Sequence, residues 1–226
     1  MTAADQARAF ARLHHGTGPL VLPNAWDAMS ARVPVSADLE AGYGSSPVRV
    51  AKLVQRVVDV GINLEDSRAG RLLALGDQVE RLAACRTAAQ RAGVSIYLNA
   101  RTDVYGHRVG SPDTRLAEVL RRGAAYLRAG ADGLFVPGVT DDATMRALAA
   151  EFSGPLNVLA TPQMPSAAHL AALEVARVSP GSGPVRSVMG LVRRLAGEWQ
   201  AAGTFSRLGG DAVPYDQAND LFLRPD

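Results

Sequence analysis

Ala129-Gly130-Ala131-Asp132-Gly133-Leu134-Phe135-Val136-Pro137-Gly138 is the stretch whose reading decides the fold. Glycine closes a helical pattern, a short continuously apolar run follows, and Pro-Gly ends it. A run that is apolar at successive positions suits a strand covered on both faces. A new helical pattern then begins. Thr140-Asp141-Asp142 offers a cap and first-turn acids, and Met145, Leu148, Ala149 and Phe152 share one face.

The same unit recurs on both sides. Leu20-Val21-Leu22, Val33 to Leu39, Val60 to Leu64, Val94 to Asn99, Leu156 to Leu159 and Val175 to Val178 read as further strands. Between them lie helical stripes: Val50, Val54, Val57 and Val58 after Pro47; Leu116, Val119, Leu120 and Leu127 after Ser111-Pro112-Asp113; and Val188, Leu191, Val192, Leu195 and Trp199. Strands alternating with helices at this spacing predict an α/β fold with a parallel sheet. Seven strands are one short of a closed TIM-type (βα)8 barrel. The shortfall falls near the start, where only ten residues, Asn24 to Val33, join the first strand to the second. A parallel crossover with its helix needs at least about 10–12, so one βα unit is expected to be lacking there. Residues 1–203 read as one parallel α/β barrel domain. Residues 204–226, broken by Gly209-Gly210, Pro214 and Pro225, read as a tail packing on the barrel or on a neighbouring subunit.

Composition narrows the function. Of 24 basic residues only Lys52 is lysine, and it sits in a helical stretch, which argues against Schiff-base catalysis. The arginines are scattered among 22 acids and the aromatics form no stripe, so nucleic acid is not an expected partner. No run is apolar enough for a membrane span, and Met1 to Arg12 lacks an apolar signal core. One cysteine, Cys85, excludes a disulfide framework. A cytoplasmic protein is expected.

In a parallel barrel the working residues sit where strands end. Asp38 and Glu40 are spaced i, i+2, so both can point the same way from an extended segment. Glu65 ends the adjacent strand, in Asn63-Leu64-Glu65-Asp66. Clustered carboxylates repel unless a cation lies between them, and an all-oxygen set of this size suits Mg²⁺. Asp38, Glu40 and Glu65 are therefore the candidate metal ligands, whereas Asp66 reads as a structural cap of the following helix. Arg101, in Asn99-Ala100-Arg101-Thr102-Asp103, offers a planar fork for a carboxylate or phosphate; alternatively it pairs with Asp103 or Glu65. Metal and arginine in one mouth point to a small anionic substrate such as an α-oxo or 2-hydroxy acid. Gly181-Ser182-Gly183-Pro184 reads as a plain helix start rather than a phosphate loop. His14 and His15 read as surface residues, His169 as exposed on a helix, and His107 as a residue of the mouth. Cys85 reads as a small buried helix residue. No Ser/His/Asp grouping is legible.

These residues resemble the isocitrate lyase/phosphoenolpyruvate mutase superfamily, in its short bacterial branch. The resemblance is carried in order by Leu22-Pro23-Asn24-Ala25-Trp26-Asp27-Ala28, Ser36 to Gly44, Gly61 to Ser67, Asn99 to Asp103, Gly130 to Gly138 and Val175 to Ser179. It implies a (βα)8 barrel of the phosphoenolpyruvate mutase type and a Mg²⁺ cofactor. The implied activity is a lyase or hydrolase cleaving C–C or C–P bonds through an enolate. It implies metal-linked roles for Asp38, Glu40 and Glu65, catalytic roles for Arg101 and Glu65, and substrate contacts from Arg101, Asn99, Trp26 and Tyr43. It also implies homodimers or homotetramers that exchange the last helix. Two departures stand out. Where the lyases carry a Lys-(Lys/Arg)-Cys-Gly-His-like stretch, this chain reads Ser67-Arg68-Ala69-Gly70-Arg71-Leu72. Some tens of residues, including a substrate-binding loop, are absent after Val33. Both departures favour the alternative of a non-catalytic binding or assembly protein on the same scaffold.

Overall fold

A computed structural model of the chain describes residues 3–16, 18, 20, 21, 37, 38, 61–209 and 212–220. Helix α1 (Ala3–Leu13) precedes β1 (Leu20–Val21), β2 (Ala37–Asp38) and β3 (Gly61–Glu65). A hairpin of β4 (Ser67–Arg68) and β5 (Arg71–Leu72) leads into α2 (Leu75–Arg91). Then β6 (Tyr97–Arg101), α3 (Pro112–Arg128), β7 (Gly133–Val136), α4 (Asp142–Glu151) and β8 (Leu156–Leu159) alternate. The chain continues through α5 (Ala167–Ala172), β9 (Arg177–Ser179), α6 (Gly183–Ala202), a 3-10 turn (Ser206–Gly209) and α7 (Tyr215–Asp220).

Seven strands form one sheet in the order β1-β9-β8-β7-β6-β3-β2, every pair parallel, curled as part of a barrel. The seven strands are those expected from the sequence. Among the described residues β1 and β2 are the two edges of the sheet. Residues 22–36, which join them, lie outside the described residues, as do the expected helix over 50–58 and the position after Val33 where a unit is expected to be lacking. The β4–β5 hairpin is antiparallel and separate from the barrel. It takes up the chain that was expected to be a loop.

Strand β6 runs from Tyr97 to Arg101 rather than from Val94 to Asn99. Val94 is held instead by the end of α2, its N–H donating to Ala89 O. Arg101 is therefore the last strand residue, in register with Glu65. Asp141 caps α4 by accepting from Thr144 N–H at 2.8 Å, as expected. Gly130, with φ +98°, ends the α3 turn in a conformation that side-chain-bearing residues rarely adopt.

The main core lies between the sheet and its helices and includes Leu64, Leu82, Leu98, Val119, Leu134, Met145, Leu148 and Leu156. Cys85 is buried there, and burial pushes its thiol up to about 12. A second cluster closes the end of the barrel away from the strand C-termini, where Phe10 of α1 packs edge-on against Tyr97. His14 belongs to this cluster and is not a surface residue. Its ring stacks on Tyr97 at 3.9 Å between centroids, and it is 4% exposed. The amphipathic turn of α1 aims residues 10 and 14 the same way, and that spacing outweighs the polarity of imidazole. His15, one position on, is exposed.

Burial lowers the His14 pKa from 6.5 to about 4, against the opposing hydrogen bond to Phe10 O. The unfolded chain therefore takes up this proton at a higher pH than the folded chain does. The stability contributed by the neutral ring is complete above pH 6.5 and declines as pH falls towards 4. Denaturant midpoints for wild type and His14→Gln should diverge at pH 7 and converge towards pH 4.5. Parallel pH dependences would contradict this placement of His14.

Candidate active site

Two neighbouring strand ends build the mouth. Side chains alternate across a strand, so Asn63 and Glu65 of β3, and Asn99 and Arg101 of β6, face the barrel interior. Leu64 and Asp66, and Ala100 and Thr102, face the helices. Arg101 Nη1 lies 2.9 Å from Glu65 Oε2, and Arg101 Nε donates to Asp103 Oδ1 at 2.8 Å. Both structural pairings considered for Arg101 are thus formed. The guanidinium carbon also sits 5.7 Å from the centroid of Phe135 on β7. Side-chain exposures of 22% for Arg101 and 14% for Glu65 leave the pair reachable from the mouth.

The backbone beneath Glu65 is clamped from α2. Gln78 Nε2 donates to Leu64 O at 3.2 Å, and Arg81 Nη1 donates to Glu65 O at 3.2 Å. Below the pair, Asn99 Nδ2 donates to Asn63 Oδ1 at 2.8 Å. Across the interior, Asn157 Nδ2 and Arg177 Nε both donate to Ser179 Oγ. The barrel centre is therefore polar and buried, which ordinary core packing would not require.

Asp66 does not cap a helix. It is fully buried behind the mouth and gathers four donors. Oδ1 accepts from Asp103 N–H at 2.9 Å. Oδ2 accepts from Thr102 Oγ1 at 2.8 Å, Tyr126 Oη at 2.7 Å and Arg122 Nη1 at 3.0 Å. Burial raises the Tyr126 pKa, and the neighbouring Asp66 carboxylate raises it further, so the phenol stays a donor. Asp66 is structural, but as a hub that joins β3, β6 and α3 rather than as the cap of the following helix that was expected.

Of the expected metal trio, Asp38 stands on β2 with its backbone in register with Asn63. Its side chain and the whole of Glu40 lie outside the described residues, as do Trp26 and Tyr43. Among the described residues no three His, Cys, Asp or Glu side chains gather as a metal site. Glu65 nevertheless fits such a role. It is a hard oxygen donor on a fixed backbone, open to the mouth, and its set would consist of carboxylates alone.

One grouping was not legible in the sequence: Ser67, Asp103 and His107. Ser67 Oγ donates to Asp103 Oδ2 at 2.5 Å, and His107 Nε2 lies 3.3 Å from Ser67 Oγ. The available signal was period two beyond the strand ends, which carries Ser67 past Glu65 and Asp103 past Arg101 on the same face.

Residues 32–199 match the sequence profile of the phosphoenolpyruvate phosphomutase family. The chain belongs to that family. A candidate lyase/mutase from Burkholderia cenocepacia J2315 is 31% identical, with a TM-score of 0.88 over 99% of this chain and 98% of that one. An uncharacterised protein of Mycobacterium tuberculosis strain H37Rv is 31% identical over 222 residues, 78% of this chain and 83% of the relative. A 2,3-dimethylmalate lyase of the phosphoenolpyruvate mutase/isocitrate lyase superfamily shares the fold, with a TM-score of 0.79 at 21% identity over 98% of this chain and 94% of that one. The superfamily resemblance read from Gly61 to Ser67 and Asn99 to Asp103 is thereby shown, and with it the barrel fold class of phosphoenolpyruvate mutase type.

Removing the Asp66 carboxylate leaves the buried Arg122 Nη1 without its acid, with Glu118 still on Nε, and takes the acceptor from Thr102, Tyr126 and the Asp103 N–H. Asp66→Ala should cost about 3–5 kcal/mol of unfolding free energy, and Tyr126→Phe about 1.5–3 kcal/mol, both read by urea denaturation. A loss below about 1 kcal/mol for Asp66→Ala, within the range of exposed ion pairs, would contradict the hub.

Proposed function

We propose that the mouth binds Mg²⁺ together with a small α-oxo or 2-hydroxy carboxylate and acts as a lyase or hydrolase through an enolate. The observation that carries this reading is the inward-facing Glu65–Arg101 pair at 2.9 Å, on adjacent strand ends and open to the mouth. Arg101 binds the substrate carboxylate, its fork matching two oxygens at once. Asn99, one layer below, orients the substrate by hydrogen bonding. Trp26 and Tyr43 complete the substrate contacts. Asp38, Glu40 and Glu65 would hold the ion, directly or through water. When bound, Mg²⁺ supplies positive charge beside the oxygen on which negative charge develops.

The family profile and the lyase and mutase names among similar proteins support a lyase- or mutase-type enzyme. Cleavage of isocitrate or methylisocitrate is not proposed. The β4–β5 hairpin replaces the cysteine loop, and Cys85 is buried in the core with its thiol raised to about 12. That same replacement favours a second reading, a non-catalytic binding protein on this scaffold.

Two measurements test these readings. Calorimetric titration with Mg²⁺ should give heat with wild type and little with Asp38→Ala; equal heats would remove the trio as a site. Incubation with oxaloacetate and Mg²⁺, followed by NMR, should show sustained formation of pyruvate or of oxalate. Absence of conversion alongside Mg²⁺ heat would favour the binding protein.

We also propose a homodimer or homotetramer through α6. No residue of this 20-residue helix is buried, and it exposes Val188, Met189, Leu191, Val192 and Trp199. An apolar face of that length needs a cover. Sedimentation should show an oligomer for wild type that dissociates in Val192→Glu; a monomeric wild type would contradict the proposal.

A further inference from the structure

The Ser67–Asp103–His107 cluster adjoins the Glu65–Arg101 pair through the Arg101–Asp103 bond, and the function proposed above gives Ser67 and His107 no role. Ser67 stands on β4, in the hairpin that replaces the cysteine loop. Asp103 lies two residues beyond Arg101, and His107 one turn further on, its N–H donating to Asp103 O at 2.8 Å. The turn is pinned from β7: Gly138, with φ +92°, lies so close that a Cβ there would come 2.8 Å from Gly106 N.

The hydrogen bonds fix the tautomer of His107. The single hydroxyl proton of Ser67 goes to Asp103 Oδ2 at 2.5 Å. Towards His107 Nε2, 3.3 Å away, Ser67 Oγ can then only accept, so Nε2 carries a hydrogen. Asp103 Oδ2, 3.8 Å from the same nitrogen, favours the same form. The lone pair of the neutral ring is consequently on Nδ1. Ser67 and Asp103 are 2% and 1% exposed, whereas the His107 side chain is 36% exposed. The Nε2 end of the imidazole is held against this buried pair, while the side chain as a whole stays partly open to solvent. Ser67 Oγ, itself bonded to the Asp103 carboxylate, holds one ring N–H and leaves the other nitrogen as the basic one, which parallels the logic of the catalytic triad. Among the described residues the charged group beside the ring is Asp103, which in turn holds Arg101.

We propose that Nδ1 of His107 is the proton-transfer group of the mouth, with Ser67 and Asp103 fixing its tautomer. The inference rests on the reading that the mouth takes an α-oxo carboxylate. With pyruvate, Nδ1 removes a proton from the methyl carbon. The C–H electron pair becomes the C=C bond of the enolate, and the carbonyl π pair moves onto oxygen. The reverse step returns a proton from the imidazolium to that carbon. No oxidant or second substrate is needed.

The test is exchange of pyruvate methyl protons in D₂O with Mg²⁺ and the full chain, followed by proton NMR. Calorimetry of pyruvate binding and a long-range nitrogen–proton spectrum of the histidine rings accompany it. Wild type should bind pyruvate, exchange its methyl protons, and show His107 as the Nε2–H tautomer. His107→Gln should bind pyruvate but lose about 100-fold or more in exchange rate. Ser67→Ala should weaken exchange and let the Nδ1–H form of His107 appear. Exchange by His107→Gln at the wild-type rate would overturn the proposal, as would an Nδ1–H tautomer in wild type. Pyruvate binding by wild type without exchange would overturn it too, while leaving the carboxylate reading standing. Absence of pyruvate binding by wild type would bring down the carboxylate reading and this role together.

Discussion

The side-chain alternation of two parallel strands, locked by one buried carboxylate, is the constraint on which the mouth depends. Asp66 and Thr102 face the helices and bond to each other at 2.8 Å. Because the strand period is two, that bond obliges Glu65 and Ser67, and Arg101 and Asp103, to face the interior. Arg122 and Tyr126 of α3 close on the same carboxylate and fasten the helix layer to the strand ends. A slip of one residue in either strand would bury Glu65 and Arg101 among the apolar helix faces. The hub therefore selects which four polar side chains meet in the mouth, although it touches none of the proposed chemistry.

The order of the elements was legible in the sequence because short apolar strands and amphipathic helices carry their periods openly. All seven barrel strands fall where the apolar runs do, and Asp141 caps the helix it was expected to cap. What was not legible depended on contacts distant along the chain. His14 looks like a polar surface residue until Tyr97, 83 positions later, supplies its stacking partner. Ser67 and His107 are 40 residues apart and meet only because β3 and β6 are neighbours. The β4–β5 hairpin is too short to show a period. In the candidate site, Glu65 and Arg101 were singled out by their place at strand ends, which topology dictates for a parallel barrel, whereas Asn99 was expected only from the family resemblance.

Membership of the phosphoenolpyruvate phosphomutase family accounts for the scaffold. The features that distinguish this chain lie at two places. The hairpin brings Ser67 beside His107. Helix α6 leaves a long apolar face uncovered by its own barrel. The first concerns which group moves protons, the second whether the working unit is one chain or several.

The most direct measurement of the central claim is anomalous diffraction from crystals soaked with Mn²⁺, a scatterer that replaces Mg²⁺, and oxalate. One strong metal peak ligated by Asp38, Glu40 and Glu65, directly or through water, is expected, with an oxalate carboxylate on Arg101. A metal peak elsewhere, or oxalate bound without contact to Arg101, would contradict the claim.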